Sequence, residues 1–417
     1  MRDEVTQLLS RLIQVDTTNP PGNETAAAEL LRDYLGSNGL ECELYARIPE
    51  RANLVTRIKG TGDGPSLLLL GHTDVVLADA SEWSVPPFSG EVRDGEVWGR
   101  GALDMKSEVA ANAVAIASLA REGFRPKGDL IFAATADEEV GDGFGLEWLC
   151  EAHPDAVRCD YAINEGGGDR LELGGNTYFI CATAEKMSAP FRLAVKGRSG
   201  HASMPGIADN ALVKAARLVE RIAAYEPPRE VQQEVAAFLR VLGVGLDALP
   251  RAAAEIVEPL LAPTFSPTMI SASQKRNVIP ALCEVVVDCR LLPGMTPADI
   301  EPTIREVLGA DVEYDLVFTE AQGGTRSPLD TPLWQAVESF VAEREPGARA
   351  VPICTAGFTD SHWLREAFGT VAYGFFPARM PSELMAQLIH SADERITVDD
   401  LELGVTWLRH AARLLCG

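Results

Sequence analysis

The sequence predicts an α/β protein in which a mostly parallel central sheet, flanked by helices, is interrupted by a second domain. Residues 67–70 are four consecutive leucines closed by Gly71, a pattern typical of a strand buried on both faces of a parallel sheet. Strands and helices alternate up to residue 187 and again after Arg326, whereas the segment between them follows the order β-α-β-β-α-β. We therefore expect a first domain built from residues 1–187 and 327–417 and an inserted domain at 188–326.

The first domain is expected to begin with two helices. One occupies residues 4–14 and ends at the breaker cluster Asp16-Thr-Thr-Asn-Pro-Pro-Gly22, and the next runs from near Asn23 to near Gly39. The Asp94-Gly95 pair predicts a hairpin with a tight primed turn. The alanine-rich stretch that ends at Ala120 predicts a helix that is apolar almost all round and therefore buried. Strands are expected at residues 41–47, 53–59, 66–70, 129–134 and 161–164.

The inserted domain and the returning part of the chain have their own element order. The insert reads as a split βαβ sandwich with an antiparallel sheet, and residues 227–263 look like a helical insertion between its first helix and its second strand. Its strands are expected at residues 191–196, 268–273, 283–291 and 312–318, and its helices at 210–224 and 297–308. After it we expect helices at residues 331–345 and 398–415 and strands at 351–354 and 371–376.

Composition excludes several classes of function. The chain has 417 residues, which predicts two domains, and its formal net charge of −24 argues against nucleic acid or anionic membrane partners. Neither an apolar run of about 20 residues nor a secretory signal pattern is visible, so a cytoplasmic location is expected. The eight cysteines form no C-x-x-C pair, and we interpret them as reduced, partly buried thiols.

Polar residues end or follow the predicted buried strands of the first domain, where open α/β sheets place their ligands. They are His72, Asp104, Glu138, Glu139, Glu165 and, far along the chain, His390. Two histidines and three carboxylates suit a pair of divalent ions such as zinc, with one aspartate shared between them. Two Zn²⁺, three carboxylates and one bridging hydroxide carry no net charge, which avoids the cost of unpaired buried charge. The remaining glutamate is then available as a general base.

Each of these residues also has an ordinary structural interpretation. Asp104 could cap the helix that follows it, and Glu138-Glu139 could be a solvated turn. Glu165 could be a loop carboxylate, and His390 could be a surface histidine. We expect any one of these residues to be purely structural far more readily than all of them at once.

Six motifs resemble one family closely and in order along nearly the whole chain. They are Gly71-His-Thr-Asp-Val-Val76, Trp98-Gly-Arg-Gly-Ala-Leu-Asp-Met-Lys106, Ala136-Asp-Glu-Glu-Val-Gly141, Asn164-Glu-Gly-Gly, Lys196-Gly-Arg-Ser-Gly-His-Ala-Ser-Met-Pro205 and Ile389-His-Ser-Ala-Asp-Glu-Arg395. The family is that of the co-catalytic zinc enzymes aminoacylase, acetylornithine deacetylase, succinyl-diaminopimelate desuccinylase, carboxypeptidase G and carboxypeptidase S. The resemblance implies a zinc-exopeptidase-like domain carrying an inserted βαββαβ (ferredoxin-like) lid or dimerisation domain.

The resemblance also implies two Zn²⁺ per subunit, with Co²⁺ or Mn²⁺ as alternatives, and a role for each matched residue. One ion would be bound by His72, Asp104 and Glu165, and the other by Asp104, Glu139 and His390. Asp74 would support His72, and Glu138 would be the general acid and base. The family typically has a non-proline cis peptide after the bridging aspartate, here between Asp104 and Met105.

Residues on the substrate side are expected mainly from the inserted domain. In the family, the histidine matched by His201 stabilises the tetrahedral oxyanion, often from the partner subunit. Arg290 could grip a carboxylate through two parallel hydrogen bonds, although an ion pair with Asp288 is the alternative. The positions expected to hold the substrate are Asn277, Arg290, Gly357 and Thr359. Phe358 departs from the second glycine of the family's Gly-Gly-Thr-Asp loop, which would change the shape of the pocket.

The resulting functional hypothesis is hydrolysis of an amide bond by attack of a metal-bridging hydroxide, with Glu138 as general acid and base. The substrate would be an N-acyl amino acid, or a short peptide trimmed by a carboxypeptidase or dipeptidase, and the motifs do not separate these activities. A homodimer formed through the lid domain is the family's habit. The alternative from another class is a catalytically inactive binding or scaffold protein on the same fold, although the five ligands and Glu138 are all present.

Overall fold

The computed structural model describes residues 1–319 and 322–417. These residues divide into two compact units, of which the first comprises Met1–Thr183, Ser327–Ile353 and Thr359–Gly417, and the second Ala184–Arg326 with Cys354–Phe358. The domain limits at 188 and 326 remain a sequence prediction. Among the helices of the described residues, none combines the length and the apolar character needed to cross a membrane.

The secondary structure elements are numbered here in chain order. The strands are β1 Cys42–Ala46, β2 Ala52–Ile58, β3 Leu67–His72, β4 Glu91–Arg93, β5 Glu96–Trp98, β6 Leu130–Thr135, β7 Tyr161–Asn164, β8 Arg170–Leu173, β9 Asn176–Glu185, β10 Met187–Ser188, β11 Phe191–Lys196, β12 Gly200–His201, β13 Thr264–Ser271, β14 Val278–Ile279, β15 Leu282–Leu291, β16 Tyr314–Phe318, β17 Thr325–Arg326, β18 Arg349–Thr355, β19 Val371–Gly374 and β20 Arg395–Thr397. The α-helices are α1 Arg2–Ile13, α2 Glu24–Ser37, α3 Lys106–Arg121, α4 Leu146–Ala152, α5 Pro154–Val157, α6 Ala211–Ala224, α7 Gln233–Leu242, α8 Arg251–Val257, α9 Pro297–Leu308, α10 Pro332–Arg344, α11 Ser361–Phe368, α12 Ser382–Leu388 and α13 Val398–Cys416.

The first unit is organised around a mixed sheet whose centre is parallel. Its strand order is β1-β2-β6-β3-β7-β19-β9, in which β3 runs parallel to both β6 and β7, and β19 runs parallel to β7. The outer pairs, β1 with β2 and β2 with β6, are antiparallel. The predicted mostly parallel sheet flanked by helices is therefore confirmed.

The four leucines of β3 show how the sheet is covered on both faces. Leu67 and Leu69 belong to the core formed with α1, α2, α3, α10 and α13, whereas Leu68 and Leu70 belong to the core formed with α4, α5 and α11. Successive side chains of a strand point to opposite faces, so an unbroken apolar run serves two helical layers at once. The helix α3 is buried along nearly its whole length, as its alanine content predicts.

The second unit contains the predicted βαββαβ arrangement. Its sheet has the order β13-β15-β11-β16 with every neighbouring pair antiparallel, and β10 pairs with the end of β15. Buried and half-buried residues alternate along β15, and its buried side packs with α6 and α9 in one core. The helices α7 and α8 lie between α6 and β13, which confirms the helical insertion.

The structure contains helices that were not predicted, namely α4, α5, α11 and α12, and it also differs from the sequence prediction at β8, β9 and β13. The hairpin of β8 and β9 was not predicted, because β9 shows no alternating pattern and the Gly174-Gly175 turn before it was not read as a hairpin signal. Strand β13 was expected at residues 268–273 but spans Thr264–Ser271. Proline normally argues against a strand, yet Pro267 lies at a register shift between β13 and β15, where such a residue is tolerated.

Candidate metal centre

The carboxyl ends of three neighbouring parallel strands bring polar residues together in the first unit. His72 is the last residue of β3, Glu138 and Glu139 follow β6, and Glu165 follows β7 directly. The parallel register places these strand ends at one edge of the sheet, which is the usual ligand position in open α/β sheets.

Asp104 is the residue on which the two histidines converge. His72 Nε2 lies 3.1 Å from Asp104 Oδ1, and His390 Nε2 lies 3.0 Å from Asp104 Oδ2. Each imidazole thus faces a different oxygen of one carboxylate, the arrangement expected of a ligand shared by two cations. Asp104 does not cap α3, which starts at Lys106 after Met105, so the capping alternative is wrong.

Three glutamates complete the cluster. His390 Nε2 lies 3.3 Å from Glu139 Oε2, and His72 Nε2 lies 3.7 Å from Glu165 Oε2. The distance from His72 Nε2 to Glu138 Oε2 is 3.8 Å. The structure therefore brings all six predicted residues together.

The donor set fits divalent cations. Ligand atoms of His72, Glu138 and Glu165 lie within 4.8 Å of one another, as do those of His72, Asp104 and Glu139. The buried Glu139 Oε1 has no hydrogen-bond partner among the described residues. Burial raises the pKa of Glu165 to about 7, because a carboxylate there lacks solvent and also faces Asp104. Imidazole nitrogens and carboxylate oxygens at this spacing suit zinc, cobalt or manganese.

Asp74 links His72 to the segment that carries the two glutamates. His72 Nδ1 lies 3.1 Å from the carbonyl oxygen of Asp74 and 3.4 Å from its Oδ1. The backbone N–H groups of Glu138 and Glu139 donate to the two oxygens of Asp74 at 3.2 and 3.1 Å. Burial opposes ionisation of Asp74, but the hydrogen bond and charge of His72, together with the hydrogen bonds from Asn19 and the Glu139 N–H, keep the pKa of Asp74 below its usual value.

Sequence reasoning missed a buried polar network behind Asp74. Asn19 Nδ2 donates to Asp74 Oδ2 at 2.9 Å and to Asp137 Oδ1 at 3.2 Å. Arg51 binds Glu24 through two hydrogen bonds of 2.6 and 2.7 Å and also donates to Asp137 at 3.0 Å. The available signal was the breaker cluster that contains Asn19, which reads as a turn when its partners are unknown.

The peptide bond between Asp104 and Met105 is cis, as the family resemblance implies.

Thr359 and Asp360 lie in the first unit, whereas Gly357 lies in the second. Asp360 is buried and accepts a hydrogen bond of 3.0 Å from Thr135 Oγ1. Burial raises the pKa of Asp360 to about 7.

The other expected substrate residues lie in the second unit. His201 in β12 and Asn277, which immediately precedes β14, are neighbours because β12 pairs with β14 and the Ala202 N–H donates to the Asn277 carbonyl at 3.0 Å. Arg290 makes two hydrogen bonds of 3.1 Å to Asp288, which is the ion pair foreseen as its alternative. The substrate roles of these residues remain predictions.

A mixed sheet flanked by helices, with two histidines on one shared carboxylate next to further glutamates, is the arrangement of a metal-dependent hydrolase. Residues 68–414 match the model of Peptidase family M20/M25/M40. The chain belongs to this family, which confirms the resemblance seen in the motifs.

Known proteins resemble the chain over nearly its full length. It is 26% identical over 408 residues to a succinyl-diaminopimelate desuccinylase of Cereibacter sphaeroides, covering 95% of this chain and 94% of the relative. It is 30% identical over 412 residues to a protein of the same name from Methylobacterium nodulans, covering 95% and 92%.

Solved structures show the same fold. An M20 metallo-carboxypeptidase from Sulfolobus solfataricus superimposes with a TM-score of 0.79 at 17% identity, covering 99% of both chains. Human carnosine dipeptidase 1 gives 0.67 at 16% identity, covering 99% of this chain and 96% of that one. A dinuclear metal-binding M20 peptidase from Bacillus subtilis gives 0.66 at 15% identity, covering 99% and 98%.

Proposed function

We propose that the protein hydrolyses the amide bond of a small N-acyl amino acid or short peptide and uses two Zn²⁺ ions to do so. The observation that carries this proposal is the position of His72 and His390, each about 3 Å from a different oxygen of Asp104. Two cations bound there would polarise the scissile carbonyl and lower the pKa of a bound water from ~15.7 toward ~7.

The proposed division of ligands follows the measured neighbours. His390, Glu139 and Asp104 would hold one cation, because His390 lies close to both carboxylates. His72, Glu165 and Asp104 would hold the other. Glu138 and Glu165 lie at nearly the same distance from His72, so distance alone does not separate their roles. The resemblance to the family assigns Glu165 as the ligand and leaves Glu138 for proton transfer.

Glu138 is proposed as the general base and then the general acid. Its side chain is largely buried, and burial together with the nearby Glu165 raises its pKa well above the usual range. A carboxylate with a raised pKa accepts a proton from water more readily and can return it to the leaving nitrogen. The Asp74 side chain, by holding the N–H of Glu138, would fix the position of this carboxylate.

His201 is proposed to donate a hydrogen bond to the developing oxyanion. Its Nδ1 accepts from the Ser203 N–H at 3.3 Å and lies 2.7 Å from Ser203 Oγ. In a neutral ring the proton then resides on Nε2, which can act as the donor. The side chain of His201 is exposed, so a substrate can reach it.

The substrate class is supported by the names of similar proteins. Desuccinylases remove an acyl group from an amino compound, and the structural neighbours include a carboxypeptidase and a dipeptidase. We propose that Asn277, Arg290, Gly357 and Thr359 contact the substrate. For Arg290 this requires a substrate carboxylate to replace Asp288, its present partner.

The decisive experiment combines metal analysis with a hydrolysis screen. The purified protein should contain or bind two divalent cations per chain, and it should release free amino acid from N-succinyl amino acids, N-acetyl amino acids or dipeptides. The pattern of turnover identifies deacylase or peptidase. Two bound cations with no turnover of any substrate in the screen would instead favour a binding or scaffold protein.

We also infer a homodimer formed through the second unit. Strand β13 lies at the edge of its sheet, and its residues Met269 and Ile270 are 67% and 53% exposed. An edge strand with exposed apolar side chains is a ready surface for pairing with another chain. Light scattering should give a mass near twice 44.8 kDa, and Ile270→Lys should shift it toward the monomer. A monomeric wild-type protein would contradict the inference.

A further inference from the structure

A fully buried ion pair between Arg100 and Glu394 lies beside the candidate metal centre. Arg100 Nη1 donates to Glu394 Oε2 at 2.7 Å, and the two side chains are 3% and 0% exposed. Burying two charges has a large desolvation cost, so a buried ion pair is weak evidence for a contribution to stability. Both residues also hydrogen-bond to the backbone of the segments that carry Asp104 and His390, which indicates a role in positioning those segments.

Glu394 holds the backbone of the segment that carries Asp104. Its Oε1 accepts hydrogen bonds from the N–H groups of Leu103 at 2.7 Å and Asp104 at 3.0 Å. Its Oε2 accepts a further bond from the Gly101 N–H at 3.2 Å. Three backbone donors on one carboxylate fix the course of this segment just before its shared ligand.

Arg100 holds the backbone of the segment that carries His390. It donates to the carbonyl oxygens of Ser391 at 3.1 Å and His390 at 3.4 Å, and to that of Leu77 at 3.2 Å. His390 has a φ of +60°, a left-handed conformation that few residues other than glycine adopt. Such a conformation persists where neighbouring contacts enforce it.

Arg100 and Glu394 each bind the backbone of the segment to which the other one belongs. Arg100 lies four residues before Asp104 but binds the segment of His390, whereas Glu394 lies four residues after His390 but binds the segment of Asp104. The ion pair therefore ties together two segments that are nearly 300 residues apart in the sequence, Asp104 and Glu394 being 290 apart.

We propose that Arg100 and Glu394 are positioning residues that hold Asp104 and His390 at the separation required to bind a cation between them. This inference rests on the proposed two-cation centre. Groups that orient metal ligands without touching the metal typically change metal affinity by 10–100-fold when they are mutated. Neither residue contacts the reacting atoms, so the effect belongs to metal binding rather than to proton transfer.

The test measures metal affinity rather than activity. Metal-free protein is titrated with Zn²⁺ in the presence of a competing chelator, for wild type, Glu394→Gln and Arg100→Lys. Glu394→Gln replaces one acceptor oxygen by an NH₂ group, a donor that cannot accept hydrogen bonds from the backbone N–H groups. Arg100→Lys keeps the positive charge, but a single ammonium group cannot reach all the acceptors that the guanidinium binds. We expect one of the two cations to bind at least tenfold more weakly in each variant.

Arg57→Lys provides a matched control. Like Arg100, Arg57 binds one carboxylate and backbone carbonyl oxygens, two rather than three, since it donates to Asp129 Oδ2, Asp155 O and Ala156 O at 2.9 to 3.0 Å. These contacts lie near the amino end of β6, whereas the candidate centre lies beyond its carboxyl end. We expect Arg57→Lys to bind both cations within twofold of wild type.

The outcomes separate the two proposals. Unchanged affinity for both cations in folded Arg100→Lys and Glu394→Gln would overturn this inference alone. Should Glu394→Gln fail to fold, the milder Arg100→Lys decides, with circular dichroism as the check on its fold. An equal loss of affinity in Arg57→Lys would also overturn the inference, because the effect would then be general. A wild-type protein that binds fewer than two cations would overturn the proposed function and this inference with it.

Discussion

Glu138 and Glu139 are adjacent in the chain, and the structure gives their side chains different neighbours. Glu139 Oε2 lies 3.3 Å from His390 Nε2, whereas Glu138 Oε2 lies 3.8 Å from His72 Nε2. Their backbone N–H groups both donate to Asp74. One aspartate thus orients a proposed ligand and a proposed proton carrier, and a substitution at each should have a different effect.

Glu138→Gln is expected to lower kcat by roughly 10²–10⁴-fold while both cations remain bound, because an amide cannot carry the proton. The measurement is steady-state kinetics alongside metal content. Glu139→Gln serves as the comparison and should lose affinity for one cation. Wild-type turnover in Glu138→Gln would show that the base is another residue.

His362 predicts a dependence of stability on pH. The side chain is fully buried, and burial lowers its pKa to about 4 from the usual value near 6.5. Between these two values the unfolded chain binds a proton that the folded chain does not, so stability is complete above about pH 6.5 and falls as the pH drops toward 4.

The test compares wild type with His362→Gln, both metal-free, by urea unfolding at several pH values. The wild type should lose up to about 3 kcal/mol more than the variant between pH 6.5 and pH 4. Groups that titrate in both proteins cancel in this comparison. Equal slopes in the two proteins would mean that His362 is not held neutral.

At the scale of elements, β19 packs closely against the end of β7 and so helps to place Glu165, which follows β7. Gly374 pairs with Asn164 in the parallel register, and a Cβ atom at position 374 would lie 1.9 Å from the carbonyl oxygen of Glu165. Any side chain there must displace the backbone of a proposed metal ligand.

Gly374→Ala is therefore expected to lower the free energy of unfolding by about 1–3 kcal/mol, the usual cost of overpacking, and to weaken cation binding. Urea unfolding and metal titration measure the two effects. In α2, Gly36 has open space around its Cβ position, so Gly36→Ala should be neutral or stabilising by up to about 1 kcal/mol. A metal affinity unchanged by Gly374→Ala would show that the strand ends can shift independently of the site.

The sequence predicts those elements whose pattern is local. The four leucines of β3 and the Asp94-Gly95 turn are readable because apolar runs and positive-φ turns leave a signal within a few residues, and Asp94 and Gly95 do have φ of 54° and 81°. The hairpin of β8 and β9 carries the same kind of local signal, because Gly174 and Gly175 form its two-residue turn with φ of 58° and 79°; the sequence prediction overlooked it.

The site could be predicted only in part from such local patterns. The metal ligands could be proposed because their residue types are unusual at strand ends. The family resemblance then assigned each of them to one of the two ions and left Glu138 for proton transfer. The partners of Arg51, 27 and 86 positions away, leave no trace in local sequence. Glu394 lies within a motif that was recognised, yet its contact with the Asp104 N–H depends on tertiary structure alone.

For the whole molecule, the dominant property is its negative charge. The formal net charge is −24, and Asp74, Asp104, Glu138, Glu139 and Glu165 gather around two histidines in the first unit. Like charges at close range destabilise the folded state unless a counter-charge is present. Bound divalent cations would provide it, so the stability of the protein should depend on them.

Removal of metal by a chelator is expected to lower the melting temperature, and added Zn²⁺ should restore it. A cation present at 100 to 1,000 times its Kd stabilises the folded state by about 2.7–4.1 kcal/mol. Calorimetry of the metal-free protein over a range of Zn²⁺ concentrations measures the effect. His390→Ala should respond to a smaller extent, and a melting temperature independent of metal would contradict a site in the folded state.

The distance in sequence between His72 and His390 has a consequence for biosynthesis. When a ribosome has translated the first 389 residues, the nascent chain already contains His72, Asp104 and all three glutamates but lacks one imidazole. In the proposed division of ligands, His72, Asp104 and Glu165 would hold a single ion without His390. Under the same division, the second ion can be held only after His390 has been synthesised.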